Sequence, residues 1–345
     1  MLFDDMKIVQ QDIVTISVCD ETFYAQLAKS HRNRQFAMNQ RKRVDLALGA
    51  LIRQSLGWSK QLPTDERKAI AAKTEWLIDT GEKFMAWQDR DNERRAKFEE
   101  DELERDLAVN SSRKPRKAKL YASLKLPIGL DDPTFTEWGD VIIATLAGRQ
   151  PMAKIEEAAK DRMNELAAHL PVAQWWRDNV FEGTLVSLAT IIAETGDLAG
   201  YATVSKVWKR MGVAVMDGVR QGGLSKNASK DAWIAHGYVR RRRSLLYVIG
   251  EALIKGNDHY LAIYHAEKER QRAKAVAAGL TVAPSAKIPE KRKAEFISDG
   301  HIANRSRRYM EKQLLADLWC AWNGRAKGVL TPNERLPSQP IAEAE

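Results

Sequence analysis

Four arginines stand in a row at Arg240, Arg241, Arg242 and Arg243, just ahead of an apolar stripe of Leu245, Leu246, Ile249, Ala252 and Leu253. If Gly237 starts that helix, the arginines fill its first turn, where cations oppose the helix dipole by roughly a few tenths of a kcal/mol each. Helix stability alone does not select this. A bound polyanion would offset it; the plainer reading is cations that splay into solvent or pair with the acids of residues 82–106. The device recurs in Asn304-Arg305-Ser306-Arg307-Arg308, ahead of Met310, Leu314, Leu318, Ala321 and Trp322. Lys206, Lys209 and Arg210 take the face of another helix that Val204, Val207, Trp208 and Met211 leave free. Between them runs Arg220-Gln221-Gly222-Gly223-Leu224-Ser225-Lys226, where glycines let backbone approach phosphate. Ser225 is the candidate nucleophile of that loop, and its plainer role is a phosphate contact.

These residues need short helices with defined ends. Gly183 can open a helix with Leu185, Leu188, Ala189 and Ile192 inward, and Gly196 can end it. Asp197 to Ala202 turns the chain, Thr203 caps the next helix and Gly212 stops it. Two short helices joined by a tight turn suit non-specific phosphate binding. After Gly256-Asn257, Tyr260 to Tyr264 leads a basic helix through Arg270, Arg272 and Lys274; a loop over 278–300 with Lys291-Arg292-Lys293 precedes the last helix.

Composition bounds the rest. The chain has 345 residues and a net charge of +9, enough for more than one domain and suggestive of a polyanionic partner. Cys19 and Cys320 lie far apart with no Cys or His at metal-ligand spacing, which reads as reduced thiols, a cytoplasmic protein and no structural zinc. No apolar run is long enough for a membrane span and no signal pattern follows Met1.

The N-terminal part is less informative. Residues 8–19 form a β-branched run closed by Asp20, a start that metal-dependent nucleases use, but no strands with partner carboxylates follow. His31-Arg-Asn-Arg34 and Arg41-Lys-Arg43 lead into a helix striped by Val44, Leu48, Leu51 and Ile52. Pro63-Thr64-Asp65-Glu66 starts another, with Ile70, Thr74, Leu77 and Ile78 inward and Gly81 at its end. From Glu82 to Leu107 the charge is dense and mixed, as in a solvated helix or one that pairs with a second copy. Asn110 to Lys119 reads as a basic linker. Trp138, Ile142, Ile143 and Leu146 then resume helical spacing, and a further helix over 151–169 carries Met152, Ile155, Ala159, Met163 and Leu166.

From about residue 179 to 324 the chain resembles the C-terminal domain of the Piv/MooV-type insertion-sequence transposases, the family that includes the bridge-RNA-guided recombinases. The resemblance rests on the helix into Glu194-Thr-Gly-Asp197, the Tyr201 turn, Val207 to Gly212, Arg220-Gln-Gly-Gly223, the arginine-rich helix with Leu245-Leu246, and the closing segments Tyr260–Lys274 and Arg307–Trp322. It implies a helix-hairpin-helix-like, nucleic-acid-binding core. The chain departs from the family in three places. Residues 1–175 lack the four acidic ligands of a RuvC-like domain; Gln221 stands before Gly222 where the family has a nucleophilic serine; and Phe181 replaces the first glycine of the opening hairpin pair.

The resulting expectation is a mainly α, multi-helical protein: a helical domain over 1–109 with a charged helix, a basic linker and turn over 110–134, a transposase-like domain over 135–325 and a tail over 326–345. Its function would be DNA binding, in a protein of mobile-element or phage origin without the catalytic serine. The alternatives are a recombinase using Ser225, with a divalent metal needed only in that case, and an RNA-binding or assembly protein that self-associates through 82–107.

Overall fold

The computed structural model describes residues 20–109, 124–216, 218–222, 224–225 and 227–325, with the side chains of 105–109, 290 and 291 left aside. The expected strand over 8–19, Cys19, the linker from Asn110 to Lys119, Gly223, Lys226, the Lys291 side chain and the tail beyond 325 lie outside that description. The protein is mainly α, as its periodicities predict. No helix among the described residues is long and apolar enough to cross a membrane.

The chain divides into two compact units, one of Asn33–Glu157 and the other formed by Ala158–Glu345 together with Met1–Arg32. The division falls inside helices α1 (Glu21–Ser55) and α3 (Pro133–Ala168). Asp20 caps α1, its Oδ1 accepting from the Phe23 N–H at 2.8 Å. That carboxylate serves the helix start.

Unit Asn33–Glu157 closes around Leu48, Ile52, Leu77, Phe135, Ile142 and Leu146. Its second helix, α2 (Thr64–Val109), does not stop at Gly81 as its sequence suggested. A Cβ on Gly81 would sit 2.6 Å from Ile142 Cγ2 and 3.1 Å from Leu146 Cδ1. The glycine is therefore a contact point, letting α2 and α3 approach where any side chain would separate them. Likewise α3 is one helix, with Pro151 inside it, rather than two. A proline there costs about 3 kcal/mol, comparable to what one or two well-buried apolar side chains contribute; α3 buries Phe135, Ile142 and Leu146 before Pro151 and Met163 and Leu166 after it. Downstream, the Trp87 indole donates to the Leu124 carbonyl at 3.1 Å and Asp91 accepts from the Leu124 N–H at 2.9 Å. Trp87 thus anchors returning chain to the charged helix.

The other unit contains α4 (Ala173–Asn179), α5 (Val186–Thr195), α6 (Val204–Met211), a two-residue-per-strand antiparallel hairpin β1 (Val215–Met216) and β2 (Val219–Arg220), α7 (Lys230–His236), α8 (Arg240–Gly256), α9 (Asp258–Ala277), and α10 (Asp299–Trp322). Strands β3 (Thr281–Ala283) and β4 (Phe296–Ser298) pair in parallel before α10. The apolar faces read from sequence are largely buried: Leu185, Leu188, Ala189 and Ile192; Val204, Val207, Trp208 and Met211; Leu246, Ile249 and Leu253; Met310, Leu314 and Leu318. Leu245, Ala321 and Trp322 are only partly buried and Ala252 is exposed. Helix α10 is the spine. The Trp208 indole donates to its Lys312 carbonyl, Tyr260 Oη donates to Asp317, and the Trp319 indole donates to the Tyr201 carbonyl.

The same substitution should have opposite signs at two helical glycines. Gly148, in α3, has nothing within 4 Å of the place a Cβ would take, so Gly148→Ala should stabilise by up to about 1 kcal/mol through helix propensity. Gly81→Ala should instead destabilise by about 1–3 kcal/mol through overpacking. Urea unfolding of both variants checks this; stabilisation by Gly81→Ala would mean that the two helices do not meet there.

Candidate nucleic-acid interface

The basic face is assembled by the segment between α5 and α8. Helix α6 ends at Gly212, which is left-handed, as expected. Gly237 is also left-handed, but it ends α7 rather than starting α8; α8 begins at Arg240 after Val239. Helix α7 went unread in the sequence, although its signals are ordinary: Ser229 caps it by accepting from the Ala232 N–H, Asp231 lies in its first turn and Gly237 closes it. Its consequence is the position of Trp233, Tyr238 and Val239. Gln221 is buried, and its side-chain amide donates to the carbonyls of Lys209 and His236 at 3.1 and 3.2 Å. It fastens the loop to the ends of α6 and α7, so it is a structural residue rather than a phosphate contact. His236 Nε2 donates to the Gly222 carbonyl from the other side.

A buried carboxylate organises the cations. Glu194, 3% exposed in α5, meets His31 Nε2 at 3.2 Å, Arg242 Nε at 2.9 Å and Arg241 Nη2. Burial alone would raise its pKa; the contacts from His31, Arg242 and Arg241 outweigh burial and hold it at about 2. Its main-chain carbonyl also accepts from Arg210 Nε at 2.9 Å. One residue therefore sets the position of two arginines that face the same cavity.

That cavity, of about 580 Å³, is lined by Lys206, Lys209, Arg210 and Arg242 together with Tyr201, Trp233, Ile234, Gly237, Tyr238 and Val239. Tyr201 is fixed by its hydroxyl, which donates to the Thr195 carbonyl at 2.7 Å. The Tyr238 ring lies against Gly212, 3.3 Å from where a Cβ would be. Cations and aromatic faces line one opening.

A second cluster surrounds Glu311 of α10, which is fully buried and meets Arg243 Nη1 at 2.8 Å. Burial pushes its carboxyl up to about 7, against the pull of Arg243, Arg307 and Arg308. Arg307 pairs with Glu251 and stacks over Tyr247, 4.3 Å from the ring centroid. Arg308 is pulled down to about 10 by burial and then by Arg220 and Arg243, with Arg305 adding to the effect. Lys312, 4.8 Å from the Trp208 ring centroid, is pulled down to about 8 by burial and by Arg308. His301 is lowered by burial and by Arg305, Arg308 and Arg220. This is a concentration of positive charge in excess of its two acids, Glu311 and Glu251.

The sequence-nominated cations thus fall into two groups. Arg241, Arg242, Arg243 and Arg307 are engaged by glutamates of the same unit. Among the described residues no acidic side chain pairs with Lys206, Lys209, Arg210, Arg220, Arg240 or Arg305. The charge opposing the α8 dipole is therefore offset from within for three of its four arginines. Gly222 is half-buried under His236; Ser225 is exposed, and its Oγ accepts from the Asn227 N–H at 3.3 Å, forming a turn. In the α5–α6 turn the Ala199 N–H is taken by Asp197, whose Oδ1 also accepts from the Trp322 indole. Sequence reading did not single out Glu194 and Glu311 as counterions, nor Trp233, Tyr238, Lys312 and His301 as neighbours of the cations. No three His, Cys, Asp or Glu side chains among the described residues are grouped to hold a metal ion. No family model, curated protein or solved structure matches the chain.

Glu194 should govern acid stability. Its folded pKa lies below the unfolded value of 4.5, so its contribution, on the order of 3 kcal/mol, is present above pH 4.5 and lost as pH falls towards 2. Glu194→Gln should destabilise the protein at pH 7 by about 3–5 kcal/mol, since it leaves paired arginines beside a neutral group. It should also flatten the stability profile between pH 4.5 and 2. Unfolding midpoints across that range test this; a variant profile parallel to wild type would remove Glu194 from the centre of the network.

Proposed function

We propose that this chain is a DNA-binding protein of mobile-element or phage origin, with a transposase-like binding region that has lost its strand-transfer chemistry. The observation that carries the reading is the set of cations that have no acidic partner among the described residues, Lys206, Lys209, Arg210, Arg220, Arg240 and Arg305, in the unit that also crowds Arg308 and Lys312 together. These six are exposed, whereas Arg308 is half-buried and Lys312 buried. Cations gathered on one unit repel one another, most where they are shielded from water, and a polyanion would relieve that repulsion. Helix α5, the turn and α6 serve as the helix-hairpin-helix-like element of the resemblance, with its lysines rather than the Asp197 turn facing phosphate.

Loss of chemistry is supported by Gln221, which occupies the place of the family's serine and spends its amide on two carbonyls.

If about five phosphates are neutralised, duplex affinity should fall with salt at a log–log slope of roughly −4 to −5. Alanine at Lys206, Arg220 or Arg305 should each reduce that slope by about 0.9, and incubation with magnesium or manganese should leave no adduct on a denaturing gel. Titrations at several salt concentrations check this. A slope near zero overturns the binding reading; an adduct that vanishes in Ser225→Ala overturns the loss of chemistry.

A further inference from the structure

The cavity beside α6 holds more than a phosphate-binding surface needs. A duplex presents its phosphates outward and keeps its bases stacked in the interior, so cations alone would serve for backbone contacts. Here Lys206, Lys209 and Arg210 share the opening with Tyr201, Trp233 and Tyr238. Its volume of about 580 Å³ falls within the roughly 300–1,000 Å³ of pockets that enclose small organic groups. The rings have backing that holds them in place: Tyr201 through its hydroxyl on Thr195, Tyr238 against Gly212. Neither Trp233 nor Tyr238 is buried, although both are large and partly apolar.

We propose that this cavity takes an unpaired base, stacked on Trp233 and Tyr238, with its flanking phosphate on Lys206, Lys209 and Arg210, so that the preferred ligand is a single-stranded segment of nucleic acid. The inference rests on the nucleic-acid-binding reading and narrows it. Base–aromatic stacking tolerates any sequence because every base has a π face, and cations beside the rings track the backbone. Glu194 acts as a positioning residue for the cavity, holding Arg242 through its carboxylate and Arg210 through its carbonyl. Ile234, 67% exposed at the rim, gives the entering base an apolar edge.

The test is a fluorescence-anisotropy titration of labelled oligo-dT, oligo-U and a DNA duplex of equal length with wild type, Trp233→Ala, Tyr238→Ala, Trp233→Phe and Tyr238→Phe, circular dichroism confirming that each variant folds. Single-strand affinity should fall about 10- to 100-fold in each alanine variant. Duplex affinity should stay within a factor of about two of wild type, and the phenylalanine variants should regain most of the loss because they keep a π face. Single-strand binding unaffected by either alanine, an equal loss on duplex and single strand, or wild type that binds duplex but neither oligo-dT nor oligo-U would each overturn the inference while the broader reading stands. Wild type that binds none of the three overturns both.

Discussion

The C-terminal unit is organised by the burial of one carboxylate. Glu194 lies in a helix that buries Leu188, Ala189, Ile191 and Ile192 beside it, together with Thr190 and Thr195, whose hydroxyls are taken up by carbonyls of the same helix. An ionised group there is stable only if it is surrounded by donors, and His31, Arg241 and Arg242 provide them from α1 and α8. The requirement works in both directions. Burial of the acid fixes the first turn of α8, and that turn in turn fixes the wall of the basic cavity.

Glu311 repeats the arrangement on α10 with a different balance. It has Arg243 within contact distance, but desolvation prevails and its carboxyl is raised to about 7, whereas that of Glu194 is held at about 2. The surrounding cations are depressed as well, Arg308 to about 10 and Lys312 to about 8. Such departures reflect charge that the fold leaves incompletely matched, and unmatched charge is a general mark of binding surfaces. The two clusters therefore differ in kind: around Glu194 arginines complete the structure, and around Glu311 they exceed what the structure uses.

Glycines at helix ends carry local signals of unequal clarity. Gly212 ends α6 where an apolar stripe runs out, and both signals agree. Gly237 carries the same information, but the arginine run after it draws the expected helix start forward and hides the short α7 before it, with its own serine cap. At Gly81 the discrepancy runs the other way: a glycine in a helical pattern suggests an end, while the structure uses its missing Cβ for contact with Ile142. A glycine reports that a side chain is unwelcome, without saying whether backbone conformation or a neighbour is the cause.

By itself the sequence determined the helical class, the inward faces of α5, α6, α8 and α10, and the positions where positive charge collects. Those follow from periodicity and composition, which are local properties of the chain. Tertiary structure decided which cations remain available, because Arg242 and Arg243 meet acids roughly fifty and seventy residues away, a separation on which no helical period bears. It also brought Tyr201, Trp233 and Tyr238 to the lysines of α6. Pairing of buried charge and convergence of rings depend on how helices cross, and only the folded chain specifies that.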